Sequence, residues 1–178
     1  MESARVDLTE SELREGLTAC LAVPRWVADV AGHSPYASLE ELLAVARAAA
    51  TPLSPDEIDQ ALADHPRIGE RASGNGRAQE FSRSEQASSA TTDDADTARL
   101  MAGNQAYEKK FGRVFLIRAA GRTRPEIVAE LERRLTLSPE DEIVEVGAAL
   151  RDIALLRIPQ ILAHLDHHSG YDESEAAR

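Results

Sequence analysis

The stretch that decides the fold is SPEDEIVEVGAALRDIALLRIPQILAHLDHH, residues 138–168. Its apolar residues recur every three or four positions, as they do along one face of a helix. They are Ile143, Val146, Leu150, Ile153, Leu156 and Leu162. The spacing predicts the longest helix of the chain, with an apolar stripe directed at a core. Pro159 is expected to kink or divide this helix, because proline has no amide hydrogen to donate.

Further helices are predicted upstream from their starting signals. A serine or threonine that precedes a glutamate by three residues forms a capping box, which begins many helices. Such starts are Thr9, Ser38 and Ser54. Pro24 should open a short helix. The helix that follows Ser54 should stop before Pro66, because the residue ahead of a proline is driven out of the helical conformation.

Three later segments complete the helical prediction. Helices are expected in QEFSRSEQASSA (79–90), in DDADTARLMAGNQAYEKKFG (93–112) and from Pro125 onward. Between the last two lies RVFLIRAAG (113–121), an apolar run that could be a strand but has no evident partner strand. The sequence therefore predicts an all-α fold, a single-domain bundle of about seven to nine helices over residues 1–178. Its core should cover about 8–165, followed by a frayed C-terminal tail.

Composition supports this class of fold and excludes several kinds of partner. The 178 residues suit one domain, and only 4% are aromatic, so the core must consist mainly of Ala, Leu, Val and Ile. The net charge of −11 disfavours nucleic acid and anionic membrane surfaces. No apolar stretch is long enough for a membrane span. The one cysteine, Cys20, lies among apolar residues and is read as a packed thiol in a protein of the reducing cytoplasm.

Three residues stand out as candidates for chemistry. His65 lies in DHPRIGE (64–70), at the end of a predicted helix, where it could handle protons or be a structural polar residue. Glu85 lies in SRSEQAS and could be catalytic or part of a solvated helix face. Arg157 lies in the apolar IALLRIPQIL and needs either a buried acidic partner or a bound anion. An arginine with a proton-handling His and Glu would suit a small anionic substrate, although their spacing does not show that they meet.

A metal site is disfavoured. His164 and His168 in HLDHH would share one helix face, as metal ligands can, but no further ligand pattern accompanies them. His33, in AGHSPY, is read as a surface residue of a turn. No metal ligand is therefore assigned.

The motifs together resemble a known family. HPRIGE, FSRSEQ, NQAYEKKFGRVFLIRAAGRT and IALLRI occur in the order found in 2-oxo-4-hydroxy-4-carboxy-5-ureidoimidazoline (OHCU) decarboxylases, over roughly residues 8–165. The resemblance implies an all-helical homodimer that uses neither metal nor organic cofactor. It implies conversion of OHCU to carbon dioxide and (S)-allantoin in urate breakdown. Arg67, where animal members have an acidic residue, and Ile158, where a leucine is usual, depart from the pattern without touching a proposed catalytic atom.

The same resemblance assigns the site. The catalytic residues would be His65, Glu85 and Arg157. The substrate-binding residues would be Pro66, Ser82, Arg83, Ser84, Glu85, Gln86, Phe115, Leu116, Ile117, Arg118 and Ala119. The run from Phe115 to Ala119 would then be non-helical, with backbone groups free to bind the amide atoms of the substrate.

Other functions remain as alternatives. A non-catalytic protein that binds ureides or purine products would keep the arginine and the backbone pocket without needing both His65 and Glu85. A protein-interaction module would leave Arg157 unexplained, and a metal-dependent hydrolase would have to use HLDHH. Because OHCU is unstable, functional association with urate oxidase and hydroxyisourate hydrolase is a further expectation.

Overall fold

Seven helices form the part of the chain that the structure describes, and this part contains no strand. The structure, a computed structural model, describes Val6, residues 8–63, Ile68 and residues 94–169, apart from the side chains of Asp94 and residues 164–169. The helices are α1 (Glu10–Cys20), α2 (Pro24–Ala31), α3 (Leu39–Ala49), α4 (Pro55–Leu62), α5 (Asp94–Phe111), α6 (Arg124–Arg134) and α7 (Pro139–Ser169). The all-α prediction is confirmed, and none of the described helices is long and apolar enough to cross a membrane.

The predicted capping signals act where they were expected, with one displacement. Thr9 and Ser54 form complete capping boxes at the starts of α1 and α4. Ser38 accepts a hydrogen bond from the Glu41 amide at 3.1 Å. The Glu41 carboxylate, however, accepts from the amide of Ala37 rather than from that of Ser38. The box at α3 is therefore shifted by one residue, but the helix still begins where the sequence indicated.

The chain divides into two compact units. The first comprises Met1–Thr51 and Arg151–Arg178. Within it, the fully buried Trp26 on α2 donates its indole N–H to the carbonyl of Ala46 on α3, at 2.9 Å. Tyr36 is also buried, and its hydroxyl donates to the carbonyl of Val30. Cys20, the one cysteine of the sequence, is buried, as the packed-thiol interpretation requires.

The second unit comprises Pro52–Leu150. Its core is a cluster of buried residues from α5, α6 and the segment between them, which includes Leu100, Phe115, Ile127 and Leu131. At Gly103 a Cβ atom would come within 2.5 Å of a Leu131 methyl carbon, so α5 and α6 approach closely there. The missing side chain of Gly103 permits this approach.

Helix α7 is continuous through Pro159, so of the two expected effects of the proline, a kink or a division, the division does not occur. Its buried face also differs from the predicted apolar stripe. Val146, Leu150 and Ile153 are buried as expected, whereas Ile143, Leu156 and Leu162 are only partly buried. The buried face instead includes two charged residues, Glu142 and Arg157. A search for apolar residues alone therefore places the centre of this face incorrectly.

Candidate active site

The segment between α5 and α6 is neither helix nor strand. Helix α5 ends at Phe111, and Gly112 follows with a φ of +70°, a conformation that suits a residue without a side chain. Four of the five residues assigned to substrate binding here are buried, at 2–7% exposure. These are Phe115, Leu116, Ile117 and Ala119, while Arg118 is exposed. The prediction of a non-helical segment is confirmed.

The backbone of residues 115–119 makes few hydrogen bonds to the part of the chain that the structure describes. Among the described residues, its one backbone–backbone bond runs from the amide of Arg122 to the carbonyl of Ala119, at 3.0 Å. One further bond comes from a side chain and reaches the carbonyl of Leu116. Buried backbone groups ordinarily have partners, because an unpaired one costs free energy. A segment whose amides bond to no described residue is suited to receive a ligand.

A buried ion pair lies beside this segment. Arg134, in the last turn of α6, and Glu142, in the first turn of α7, are each 2% exposed. The Arg134 Nε–H donates to both carboxylate oxygens of Glu142, at 2.8 and 3.0 Å, and Nη2 donates to one of them. Each charge lies at the helix end whose dipole favours it. The two charges therefore neutralise each other within the core.

Tyr107 on α5 completes the cluster. Its hydroxyl donates to the Glu142 carboxylate and accepts a bond from Nη2 of Arg134 at 3.4 Å. Burial, followed by the hydrogen bond to Glu142, raises the pKa of the Tyr107 phenol. The phenol therefore remains a neutral donor at physiological pH. We call Tyr107, Arg134 and Glu142 the buried charge cluster.

The buried charge cluster contacts residues 115 and 116 of the non-helical segment directly. The Nη1 group of Arg134 donates to the Leu116 carbonyl at 2.6 Å. The guanidinium carbon also lies 5.0 Å from the centre of the Phe115 ring, within cation–π range. The same ring packs edge-on against Tyr107, with ring centres 5.2 Å apart. Two adjacent residues of the segment are thus held by the cluster, one through its backbone and one through its side chain.

Helix α5 also contacts the chain close to His65. The buried Asn104 donates its side-chain N–H to the carbonyl of Ile68 at 3.0 Å, three residues after the histidine. Its Oδ1 atom accepts no hydrogen bond from the described residues. This contact fixes the backbone at Ile68. His65, Pro66 and the set at 82–86 (Ser82, Arg83, Ser84, Glu85 and Gln86) lie outside the described residues, as do the helix predicted at 79–90 and the C-terminal tail beyond 169.

Arg157 is buried, as its apolar surroundings predicted. It is 2% exposed on α7, within the first unit, and its buried neighbours along the helix include Ala154, Ile158 and Ile161. It has an interaction partner within the protein. Residues 115–119, by contrast, belong to the second unit.

Of the histidines outside the predicted site, the structure describes the side chain of His33 alone. His33 is exposed and its Nδ1 lies 2.7 Å from the Asp29 carbonyl, which confirms its interpretation as a surface residue. The side chains of His164 and His168 lie outside the described part of the chain. Among the residues whose side chains are described, no group of three potential metal ligands occurs.

Sequence reasoning missed the buried charge cluster and Asn104. The signal was present in their spacing. Glu142 precedes the buried Val146 by four residues, and Arg134 follows the buried Leu131 by three, so each lies in register with an apolar face. Two opposite charges, one at the end of a helix and one at the start of the next, each in register with a buried face, indicate a buried ion pair.

The sequence matches the family model for OHCU decarboxylase over residues 7–159. A crystal structure of OHCU decarboxylase in the presence of (S)-allantoin is similar, with 25% identity and a TM-score of 0.70, over 84% of this chain and 98% of that one. A crystal structure of (S)-allantoin synthase has 17% identity and a TM-score of 0.63, over 88% of this chain and 51% of that one, which shows likeness of fold alone. A comparison with curated proteins gave no match.

Proposed function

Because the chain belongs to the OHCU decarboxylase family, we propose that it removes carbon dioxide from OHCU and produces (S)-allantoin in urate breakdown. The observation that carries the proposal is the family match over residues 7–159. It is supported by the similarity to a decarboxylase structure determined in the presence of (S)-allantoin. The protein is accordingly a carboxy-lyase.

The chemistry of the substrate explains how the reaction can proceed without an added electron acceptor. When the carboxylate leaves as carbon dioxide, its bonding electron pair remains on the ring carbon. The adjacent C=N bond of the ring accepts this pair, and an enol-like intermediate results. The ring nitrogen that received the pair takes up one proton and the neighbouring carbon takes up another, while the hydroxyl on the decarboxylated carbon loses its proton and becomes the carbonyl of allantoin. The enzyme must therefore move protons and neutralise charge rather than supply an electron sink.

His65, Glu85 and Arg157 are proposed for these roles on the basis of the family motifs. His65 would polarise the substrate hydroxyl or carry its proton. Glu85 would hold the ring and ureido donors and pair with His65. Arg157 would neutralise the carboxylate or the oxyanion, which suits a guanidinium buried at 2% exposure in an apolar helix face.

The remaining contacts would come from Pro66, from the segment 82–86 and from residues 115–119. The latter offer amides that bond to no described residue, close to the buried charge cluster. Such groups fit the carbonyl and amide atoms of a ureido compound. No metal or organic cofactor is proposed. We expect a cytoplasmic homodimer of one domain that associates functionally with urate oxidase and hydroxyisourate hydrolase.

The decisive assay generates OHCU in place from urate with urate oxidase and hydroxyisourate hydrolase. OHCU absorbance and optical activity are then followed together after the protein is added. Accelerated loss of OHCU with growth of a single (S)-allantoin signal is expected. Decay at the spontaneous rate to racemic product would contradict the proposal. Binding of allantoin without turnover would instead support the alternative of a non-catalytic ureide-binding protein.

The catalytic assignment has its own test. His65→Asn should lower kcat by about 10²- to 10⁴-fold, the usual contribution of a positioned proton-transfer group. His33→Asn is the matched control, because this histidine is exposed and lies in the first unit, outside the family motifs. Circular dichroism should show the same helical content in both variants. A folded His65→Asn variant with full activity would remove His65 from the mechanism.

A further inference from the structure

Arg134 makes the one described side-chain hydrogen bond to the backbone of residues 115–119. Its Nη1 donates to the carbonyl of Leu116 at 2.6 Å, while Nε and Nη2 are directed at Glu142. The guanidinium is planar, so its two edges have fixed relative directions. The edge that pairs with Glu142 therefore determines where Nη1 points. Tyr107 adds a further constraint, because its hydroxyl bonds to both partners of the pair.

The bond to Leu116 also determines the direction of the next amide. A trans peptide group is planar, and its C=O and N–H bonds point in opposite directions. The Leu116 carbonyl and the Ile117 amide belong to the same peptide group. Because the carbonyl points toward Arg134, the N–H of Ile117 points away from the buried charge cluster. Among the described residues, no backbone acceptor bonds to this N–H.

Stability alone gives a weak reason for a charged pair at this position. Apolar residues of similar volume in place of a buried pair often give equal or greater stability. The Arg134–Glu142 pair does, however, supply a directed donor to a buried carbonyl in a segment with few other backbone bonds. A packed apolar side chain could fill the same volume but could not fix the orientation of a peptide group.

We infer that Arg134 is a positioning residue, which holds the Leu116–Ile117 peptide so that the Ile117 amide donates to a carbonyl oxygen of the ureide substrate. Tyr107 and Glu142 act through Arg134 by fixing its guanidinium. The inference rests on the proposed function and deepens it. It names one backbone atom as a ligand of the substrate, and it names a residue outside the family motifs as the determinant of its direction.

The test is the steady-state kinetics of Arg134→Lys with OHCU generated in place. Lysine keeps the positive charge for Glu142, but its single ammonium cannot reproduce the two-edged geometry of the guanidinium. Loss of one oriented hydrogen bond to the substrate should raise KM about tenfold, with kcat changed by less than about twofold. Hydrogen exchange of the peptide that spans residues 113–120 should also become faster than in the wild type.

Two controls separate positioning from stability. Arg133→Lys makes the same substitution at the neighbouring arginine, which pairs with Glu130 and Glu145 at the surface. Ile127→Ala removes a fully buried side chain of the same helix and lowers stability without removing the bond to Leu116. Both should keep the wild-type KM. A purely structural role for Arg134 predicts a lower amount of active enzyme with unchanged KM, as for Ile127→Ala.

The outcomes separate two claims, the proposed function of the protein and the positioning role of Arg134. If the wild-type chain fails to accelerate the loss of OHCU, the proposed function falls and the inference falls with it. If the wild type turns over and Arg134→Lys retains its KM, only the inference falls. If Arg134→Lys does not fold, a backbone ester at Ile117, which replaces the N–H by oxygen, decides instead. A rise in KM of about tenfold supports the Ile117 amide as a ligand of the substrate, and an unchanged KM refutes the inference.

Discussion

Replacement of Glu142 by leucine should destabilise the protein far more than the same replacement at Glu145, three residues along α7. Glu142 is 2% exposed and pairs with the equally buried Arg134. Without this carboxylate the guanidinium keeps only the Leu116 carbonyl and the Tyr107 hydroxyl as described partners. Removal of one member of a buried pair leaves an uncompensated charge in the core. The free energy of unfolding should therefore fall by about 3–5 kcal/mol.

Glu145 is the matched control because it lies on the same helix and pairs with the arginine next to Arg134. Its side chain is 43% exposed, that of Arg133 is 46% exposed, and the two are 3.0 Å apart. An exposed pair of this kind contributes about 0–1 kcal/mol. Glu145→Leu should accordingly reduce the free energy of unfolding by less than about 1 kcal/mol. The same chemical change is thus made in two environments that differ mainly in burial.

The measurement is urea unfolding followed by far-ultraviolet circular dichroism, with the slope of the transition used to confirm that each variant exposes similar surface. A third variant, Arg134→Met with Glu142→Leu, removes both charges. It should be no less stable than Glu142→Leu alone, since the two residues form one pair and their effects are not additive. Equal losses for Glu142→Leu and Glu145→Leu would refute the reasoning. So would a double variant whose loss equals the sum of the losses measured for Glu142→Leu alone and for Arg134→Met alone.

Two further predictions concern packing and pH. Gly103→Ala should lower the free energy of unfolding by about 1–3 kcal/mol, because the added methyl group would overpack against Leu131. Gly147→Ala should raise it by up to about 1 kcal/mol, because its Cβ would make only an ordinary contact at 3.4 Å. Thermal unfolding compares the two variants, and a stabilised Gly103→Ala would contradict the packing argument. Burial, followed by the charge of Glu41, raises the pKa of Tyr36 to about 12. The folded state therefore holds this proton more tightly than the unfolded state, and stability is lost as the pH rises from about 10 to about 12. The loss measured by urea unfolding should be less steep in Tyr36→Phe, and equal slopes in the two proteins would contradict this prediction.

The order and type of the helices were predictable because local signals determine them. Thr9 and Ser54 bind the free amides of the first helical turn, so their effect depends on residues only three positions away. Ser38 shows the limit of such signals, because the Glu41 carboxylate had two amides within reach and accepted from the earlier one. Pro159 shows a second limit, since helix α7 accommodates it within a continuous helix of 31 residues. Packing along a long helix can offset one missing hydrogen bond.

The site was predictable only in part, for physical reasons. The burial of Arg157 followed from the apolar residues beside it in the sequence, and the structure confirms that burial. The pairing of Arg134 with Glu142 depends instead on how the end of α6 meets the start of α7, which composition and periodicity do not determine. Charge in the sequence normally indicates exposure, and neither residue was singled out from the sequence. Register with the buried Leu131 and Val146 was the one local signal against that default.

The structure gives a physical reason for two polar residues of the motif NQAYEKKFG, which the resemblance to a family did not provide. Asn104 and Tyr107 are three residues apart and so lie on one face of α5. Asn104 binds the carbonyl of Ile68, close to His65 in sequence, and Tyr107 binds the ion pair that holds the carbonyl of Leu116. All of these contacts lie within the second unit. A single helix face therefore holds the backbone at two segments proposed to bind the substrate, which is why polar residues are found here in an otherwise apolar core.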